Sequence, residues 1–295
     1  MFQSATAAGL PPFDVEHPAR RTLALVLNAP HSGASYSESF RRHSRLGDRA
    51  LRASEDVDVD ALMRPAAALG APLMRANFPR AWLDVNREAY ELDPKMFAGP
   101  LPDGVNSASV RVAGGLGTIP RIVAEGTEIY RMPLAAAEAV HRIDTVYKPY
   151  HRTLRALVED TRARFGIAVL LDCHSMPSAA RRGSRDRPDI VLGDRFGTSC
   201  APDLIDLAGS VLSRLGYRVA RNRPYAGGFI TEHYGQPGQG LHALQLEVNR
   251  ALYMNERSLA RLPRFARLQR DLAMAVGEIG EAIAAGMLAP AEAAE

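Results

Sequence analysis

Lysine is almost absent from this chain: of 36 basic residues only Lys95 and Lys148 are lysine, so arginine carries nearly all the positive charge. Against 33 acids this leaves a formal net charge of +3. The arginines are scattered, and aromatics make up only 6% of residues. That argues against nucleic-acid binding, which usually shows a continuous basic stripe with interleaved aromatics. The densest cluster, Arg181, Arg182, Arg185 and Arg187, lies in a Gly/Ser/Pro-containing loop and reads as a solvated segment or lid. Cysteine is scarce too: Cys173 and Cys200 form no CxxC pair and no disulfide framework, which fits a reducing compartment. No run approaches about 18 consecutive apolar residues, so no transmembrane helix and no membrane partner are expected. The first twenty residues lack a basic n-region and an apolar h-region, so no secretory signal is expected and a cytoplasmic location follows. Hydrophobic residues at 46% and charged residues at 23% exclude a disordered or collagen-like chain.

What is present alternates between strand and helix patterns. Thr22 to Leu27 (TLALVL) and Ile167 to Leu171 (IAVLL) are near-continuous apolar runs, as expected of strands buried on both faces. A helical pattern starts at Ser54 and closes at Gly70, and two short extended segments flank Pro79. A long amphipathic helix opens at Pro133 and reaches Phe165, with a kink expected at Pro149. Further strands are expected around 190–192, 217–220 and 241–249, with helices over 202–215 and 258–285. This alternation predicts an α/β fold with a mostly parallel sheet. With no internal repeat and no clean linker, a single domain over 1–295 is expected, residues 1–20 forming a surface arm.

Two histidines stand at matching positions. His31 follows TLALVL and His174 follows IAVLL. Ligands of open α/β sheets bind outside the carboxyl ends of strands, so both imidazoles are expected to project into one crevice, where they suit metal ligation or catalysis. A third, carboxylate ligand is available in Glu55–Asp60, where Asp56 and Asp60 are four apart and share a helical face. The same acids equally serve to complement a helix dipole. On the last strand Leu244, Leu246 and Val248 point one way and Gln245, Glu247 and Asn249 the other. An ionised glutamate on a central strand is costly unless paired or beside a metal. Glu247 is therefore a general-base candidate, or else a buried partner of an arginine such as Arg250. Asp84 and Asn86 are expected on one strand face, with Arg87 after them. An Asn-Arg pair can hold a carboxylate with several donors, although Arg87 can also simply pair with Asp84 or Glu88. Ser199, in Gly197-Thr198-Ser199-Cys200-Ala201, lacks the final glycine of a nucleophile elbow. Gly114-Gly115-Leu116-Gly117-Thr118 lacks the context of a phosphate loop.

The ordered set Pro30-His31-Ser32-Gly33, Asp84-Val85-Asn86-Arg87, Asp172-Cys173-His174-Ser175-Met176, Gly227 to Gly235 and Gln245 to Arg250 resembles the N-formylglutamate amidohydrolase family. The likeness covers about residues 12 to 255. It implies kinship with zinc carboxypeptidases and aspartoacylases and a three-layer αβα sandwich of phosphorylase/hydrolase-like type, with a mixed, mostly parallel sheet. It implies zinc, or another divalent ion, on His31 and His174 with a carboxylate between them in sequence. Ala34 stands where the carboxypeptidase pattern has its acid. Asp56 is accordingly taken as third ligand, with Asp60 next. The resemblance further implies Glu247 as general base and Asn86 with Arg87 as the substrate-carboxylate pair. His233 either donates into the site or plays a structural role. Asp172, Asp84 and Asp60 are expected to support the ligands, and Arg121, Arg223 and Arg250 are open candidates for a second substrate carboxylate. The implied reaction is hydrolysis of N-formyl-L-glutamate, or a similar N-acyl amino acid. A non-catalytic carboxylate-binding protein and a serine hydrolase are the contrasting possibilities.

Overall fold

The computed structural model describes residues 2–7, 9–178 and 187–288. Its internal contacts divide the chain into two compact units. The first comprises Met1–Asp14, Pro30–Val57 and Arg75–Leu154, the second Val15–Ala29, Asp58–Met74 and Arg155–Glu295. The cluster Arg181, Arg182 and Arg185, read from sequence as a possible lid, lies outside the described residues.

A mixed sheet is drawn mostly from the second unit, two of its strands including residues of the first. Its strands are β1 (Phe13–Glu16), β2 (Leu25–Ala29), β3 (Leu73–Ala76), β4 (Ala168–Met176), β5 (Ile190–Gly193), β6 (Val219–Arg221) and β7 (Leu241–Asn249). They lie in the order β1-β3-β2-β4-β7-β5-β6. β2 and β7 both run parallel to β4, β6 runs parallel to β5, and β5 is antiparallel to β7. Every residue of β2 and β4 is buried, which is why both read as continuous apolar runs rather than alternating ones. Helices α1 (Val59–Ala67), α2 (Pro202–Arg214), α3 (Phe229–Tyr234) and α4 (Phe265–Ala284) flank the sheet. α1 packs on α4, β2 and β4, α2 on α4 and β6, and α3 on β4 and β7. The result is an α/β fold with a mostly parallel sheet of seven strands.

α1 contains Pro65, which removes the N–H that would reach the Ala61 carbonyl one turn earlier. Gln269 on α4 fills the gap, its Nε2 donating to Ala61 O at 2.7 Å. The helix begins at Val59, not Ser54, because Asp58 sits in the left-handed region at φ 61° and cannot continue a right-handed helix backwards. Asp56 is thus outside the helix, and Asp56 and Asp60 do not share a helical face. α4 likewise starts at Phe265, after Pro263, rather than at Ser258.

Helix Ala136–Arg142, in the first unit, is joined by a π-helical turn over Ile143–Tyr147 to helix Lys148–Phe165, which belongs to the second unit from Arg155 onward. That widened turn precedes Pro149, where a kink is expected, and absorbs the proline without ending the helix. Residues 81–87 form turns, not the expected strand. Trp82 N donates to Pro79 O at 2.9 Å, and the Asp84 side chain takes the Asn86 N–H at 2.9 Å, so side chain and turn claim the donors a ladder would need. Among the described residues no helix is long and apolar enough to cross a membrane.

Candidate active site

His31 leaves the sheet two residues after β2. The chain there runs tight against residues 77–78: Ser35 N donates to Asn77 O at 3.0 Å, and a Cβ on Gly33 would collide with the backbone of Asn77 and Phe78. Only glycine allows this approach, which explains the Pro-His-Ser-Gly turn. The Asp56 N–H donates to His31 O at 3.0 Å, tying the two segments together beside their side chains. Glu55 is buried next door, accepting from Tyr36 Oη at 2.5 Å and Arg52 Nε at 2.8 Å.

The His31 ring is 1% exposed. Its Nε2 lies 2.8 Å from Asp84 Oδ1 and its Nδ1 3.4 Å from Asp56 Oδ2. Asp84 is fully enclosed, and burial alone would push its carboxyl up. The guanidinium groups of Arg80 and Arg87, with His31, outweigh that and hold it well below the usual carboxylate range. An ionised Asp84 only accepts, so His31 donates to it from Nε2, and Nδ1 is the nitrogen that faces Asp56. Arg80 grips Asp84 Oδ2 with Nε and Nη2, both at 3.0 Å.

His174 is built the same way in the second unit. It lies inside β4, which continues to Met176, rather than after the strand's end. Its Nε2 meets Asp172 Oδ2 at 2.8 Å, and Asn28 Nδ2 donates to Asp172 Oδ1 at 2.8 Å. Asn28 pairs with Asp172 across β2 and β4, and Gln245 and Glu247 on β7 pair with Asp172 and His174. Side chains paired across parallel strands share a face, so these five polar groups form one buried row. Gln245 Nε2 donates to Glu247 Oε1 at 3.0 Å while its Oε1 accepts the Gly228 N–H at 2.9 Å, which fixes the glutamate's orientation. Gly193 on β5 lacks a side chain because a Cβ there would strike the Ala226–Gly227 backbone crossing this face.

His31, Asp56 and His174, all buried, offer one ligand atom each within 4.8 Å of one another. Two imidazoles and a carboxylate suit a divalent transition metal such as zinc, and each imidazole is backed by a carboxylate that fixes its tautomer. Asp60 is not in this group: it faces Arg64 at 3.7 Å and is partly exposed.

The remaining residues divide. Asn86 is buried, and Arg87 donates to Leu116 O at 2.8 Å and to Asn86 O at 2.7 Å, with Nη2 3.6 Å from Asp84 Oδ2. Burial pulls the Arg87 guanidinium below its ordinary range, and Asp84 opposes that pull. Arg250 is buried, its Nε donating to Ser175 Oγ at 3.0 Å. His233 is on the exposed face of α3, stacked on Phe229 at 4.9 Å, and accepts from Arg155 Nη2 at 2.6 Å. Burial and then Arg155 lower its pKa, so it is a neutral surface histidine held by Arg155 rather than a buried donor. Arg121 is tied by Asp93 and Glu128, both at 3.2 Å. Ser199 spends its buried hydroxyl on Ala243 O at 2.8 Å, and burial followed by Asp194 pushes the Cys200 thiol up to about 12, so neither is poised as a nucleophile. Sequence reasoning missed Arg80 and Asn28. The first stood four residues before Asp84, and the second was a lone polar residue ending an apolar run.

Fold and site together define an α/β protein with a carboxylate-backed His-Asp-His group beside a buried glutamate. The chain belongs to the N-formylglutamate amidohydrolase family, whose model matches residues 23–254. It is 32% identical over 238 residues to N-formylglutamate deformylase of Pseudomonas putida, covering 79% of this chain and 83% of that protein. It is 33% identical over 243 residues to the enzyme of the same name from Pseudomonas aeruginosa, covering 81% and 85%. The crystal structure of N-formylglutamate amidohydrolase from Ralstonia eutropha JMP134 superposes with a TM-score of 0.89 at 38% identity, covering 94% of this chain and 100% of that one.

Proposed function

We propose that the chain is a zinc-dependent amidohydrolase that cleaves N-formyl-L-glutamate to glutamate and formate. The observation that carries this reading is the His31–Asp56–His174 group, one of whose histidines lies in register with Glu247 on the neighbouring strand. Relatives that bear the name deformylase over about four-fifths of the chain support the substrate.

On this reading His31, Asp56 and His174 hold the ion, with Asp84 and Asp172 keeping each imidazole donating from Nε2. A divalent ion in such a site lowers the pKa of water and polarises an acyl oxygen. Glu247 takes a proton from the attacking water onto its carboxylate and delivers it to the departing amine nitrogen of glutamate. Gln245 keeps that carboxylate turned to one orientation throughout. Arg87 with Asn86 grips one substrate carboxylate, and Arg250 receives the other. The test is metal content and formate release from N-formylglutamate, for wild type and Glu247→Gln. The variant should retain zinc while turnover falls by about 10²–10⁴. Normal turnover in the variant removes Glu247 from the chemistry. A wild-type protein that takes up no divalent ion and releases no formate overturns the proposal.

A further inference from the structure

We propose that the first unit carries a second anion-binding site, suited to a small dianionic oxyanion and built on Arg45, Lys95, Arg121 and Arg131. These four cations line a cavity of about 170 Å³ together with Glu128 and Tyr130. The site grows from a short antiparallel bridge between Ser44 and Tyr130. Around it, Arg45 N donates to Ile129 O at 2.8 Å and Arg131 N to His43 O at 3.1 Å. One arginine thus follows the bridged residue on each side, and strand alternation puts both on the same face. Each reaches across to the opposite segment: Arg45 Nε donates to Tyr130 O at 2.9 Å and Arg131 Nε to Ser44 O at 2.7 Å. A guanidinium anchored at Nε presents its Nη edge in a fixed direction, so little side-chain freedom remains to be lost on binding an oxyanion.

The charges at this place do not balance. Glu128 serves both Arg45 and Arg121, each at 3.2 Å, and Asp93 serves Arg121 at 3.2 Å. Arg131 and Lys95 have no acidic partner among the described residues. Four cations therefore share two carboxylates, and like charges held on facing segments repel. A dianion between them relieves that repulsion through charge-assisted hydrogen bonds from the arginine edges. The space of about 170 Å³ that all four cations line accommodates a small oxyanion such as inorganic phosphate or a short dicarboxylate, and a second cavity of about 530 Å³ shares Arg45, Arg121 and Glu128 with it. Arg45, Lys95 and Arg131 have no part in the proposed reaction, and Arg121, a candidate from sequence for the second substrate carboxylate, is tied instead to Asp93 and Glu128, so this site stands or falls independently of that reaction.

Isothermal titration calorimetry of the full chain at low salt, with inorganic phosphate and with glutarate, tests the site. Phosphate should bind the wild type, and the Lys95→Gln, Arg131→Gln double variant should bind it about tenfold or more weakly. The fold should be retained, with the thermal midpoint lowered by no more than about 2 °C, since both side chains are exposed and Arg131→Gln gives up one hydrogen bond, to Ser44 O. Competition by glutarate assigns the site to dicarboxylates, and its absence assigns it to phosphate. Equal affinity in the variant, or no phosphate binding by the wild type, overturns the proposal.

Discussion

Replacing Asp84 by Asn keeps its shape and removes its charge, which isolates what that charge does. The carboxylate accepts from His31 Nε2 at 2.8 Å, Asn86 N at 2.9 Å and Arg80 Nε and Nη2 at 3.0 Å, with Arg87 Nη2 at 3.6 Å. An asparagine has one acceptor oxygen for these donors, and its NH₂ must face either the Arg80 fork or His31 and Asn86. Removing one partner of a buried ion pair costs about 3–5 kcal/mol. Arg80 is 25% exposed, so water recovers part of the loss and about 2–4 kcal/mol is expected. With an unfolding entropy of about 2.1 cal/mol/K per residue, a chain of this length loses roughly 1.6 °C per kcal/mol, or about 3–6 °C in thermal midpoint. On the proposed metal-binding reading, zinc affinity should fall about 10–100-fold as His31 loses the acceptor that fixes its tautomer. The sign with pH follows from the lowered folded pKa of Asp84. Its contribution is complete above the unfolded value of about 3.9 and is lost only as pH falls through the lower folded value. The gap between wild type and variant should therefore stay constant from about pH 8 to 5 and narrow below about 4. Calorimetry across that range, with zinc titration by a competing chelator, makes the measurement. A variant with wild-type midpoint and zinc affinity would refute the role assigned to the carboxylate.

Two further substitutions test the fold around the site. Gln269→Ala should cost about 1–2 kcal/mol by leaving Ala61 O short of a donor, and the loss should shrink in a Pro65→Ala background where the helix supplies its own N–H; thermal midpoints of the four proteins close the cycle, and equal losses in both backgrounds would sink the idea. Ser199→Ala should lower stability by about 1 kcal/mol and leave formate release intact, because its hydroxyl is committed to Ala243 O; loss of activity with the fold retained would revive a serine mechanism.

The parts of the fold read directly from sequence are those where burial alone decides. β7 has the expected bounds, and its alternation alone puts Gln245 and Glu247 on one face. Residues 82–87 alternate just as well but are not a strand, because the Asp84 side chain competes for a backbone donor that a ladder would use. The expected helical face shared by Asp56 and Asp60 fails for a related local reason, the left-handed Asp58 between them.

The support behind the two histidines shows why the rest of the site was harder to read. Asp172 is two residues before His174 on the same strand, so strand geometry alone places the acid beside the ring, and the sequence suffices. Asp84 is 53 residues from His31 and arrives by way of a turn pinned to Pro79 and Thr118. No periodicity carries that pairing, since it depends on where two irregular segments meet. Arg80 could be picked out only once Asp84 was known to need a counter-charge, and Asn28 only once β2 was known to lie beside β4. A residue type can propose a ligand, but naming the partner that tunes it requires the register between elements, which local spacing does not contain.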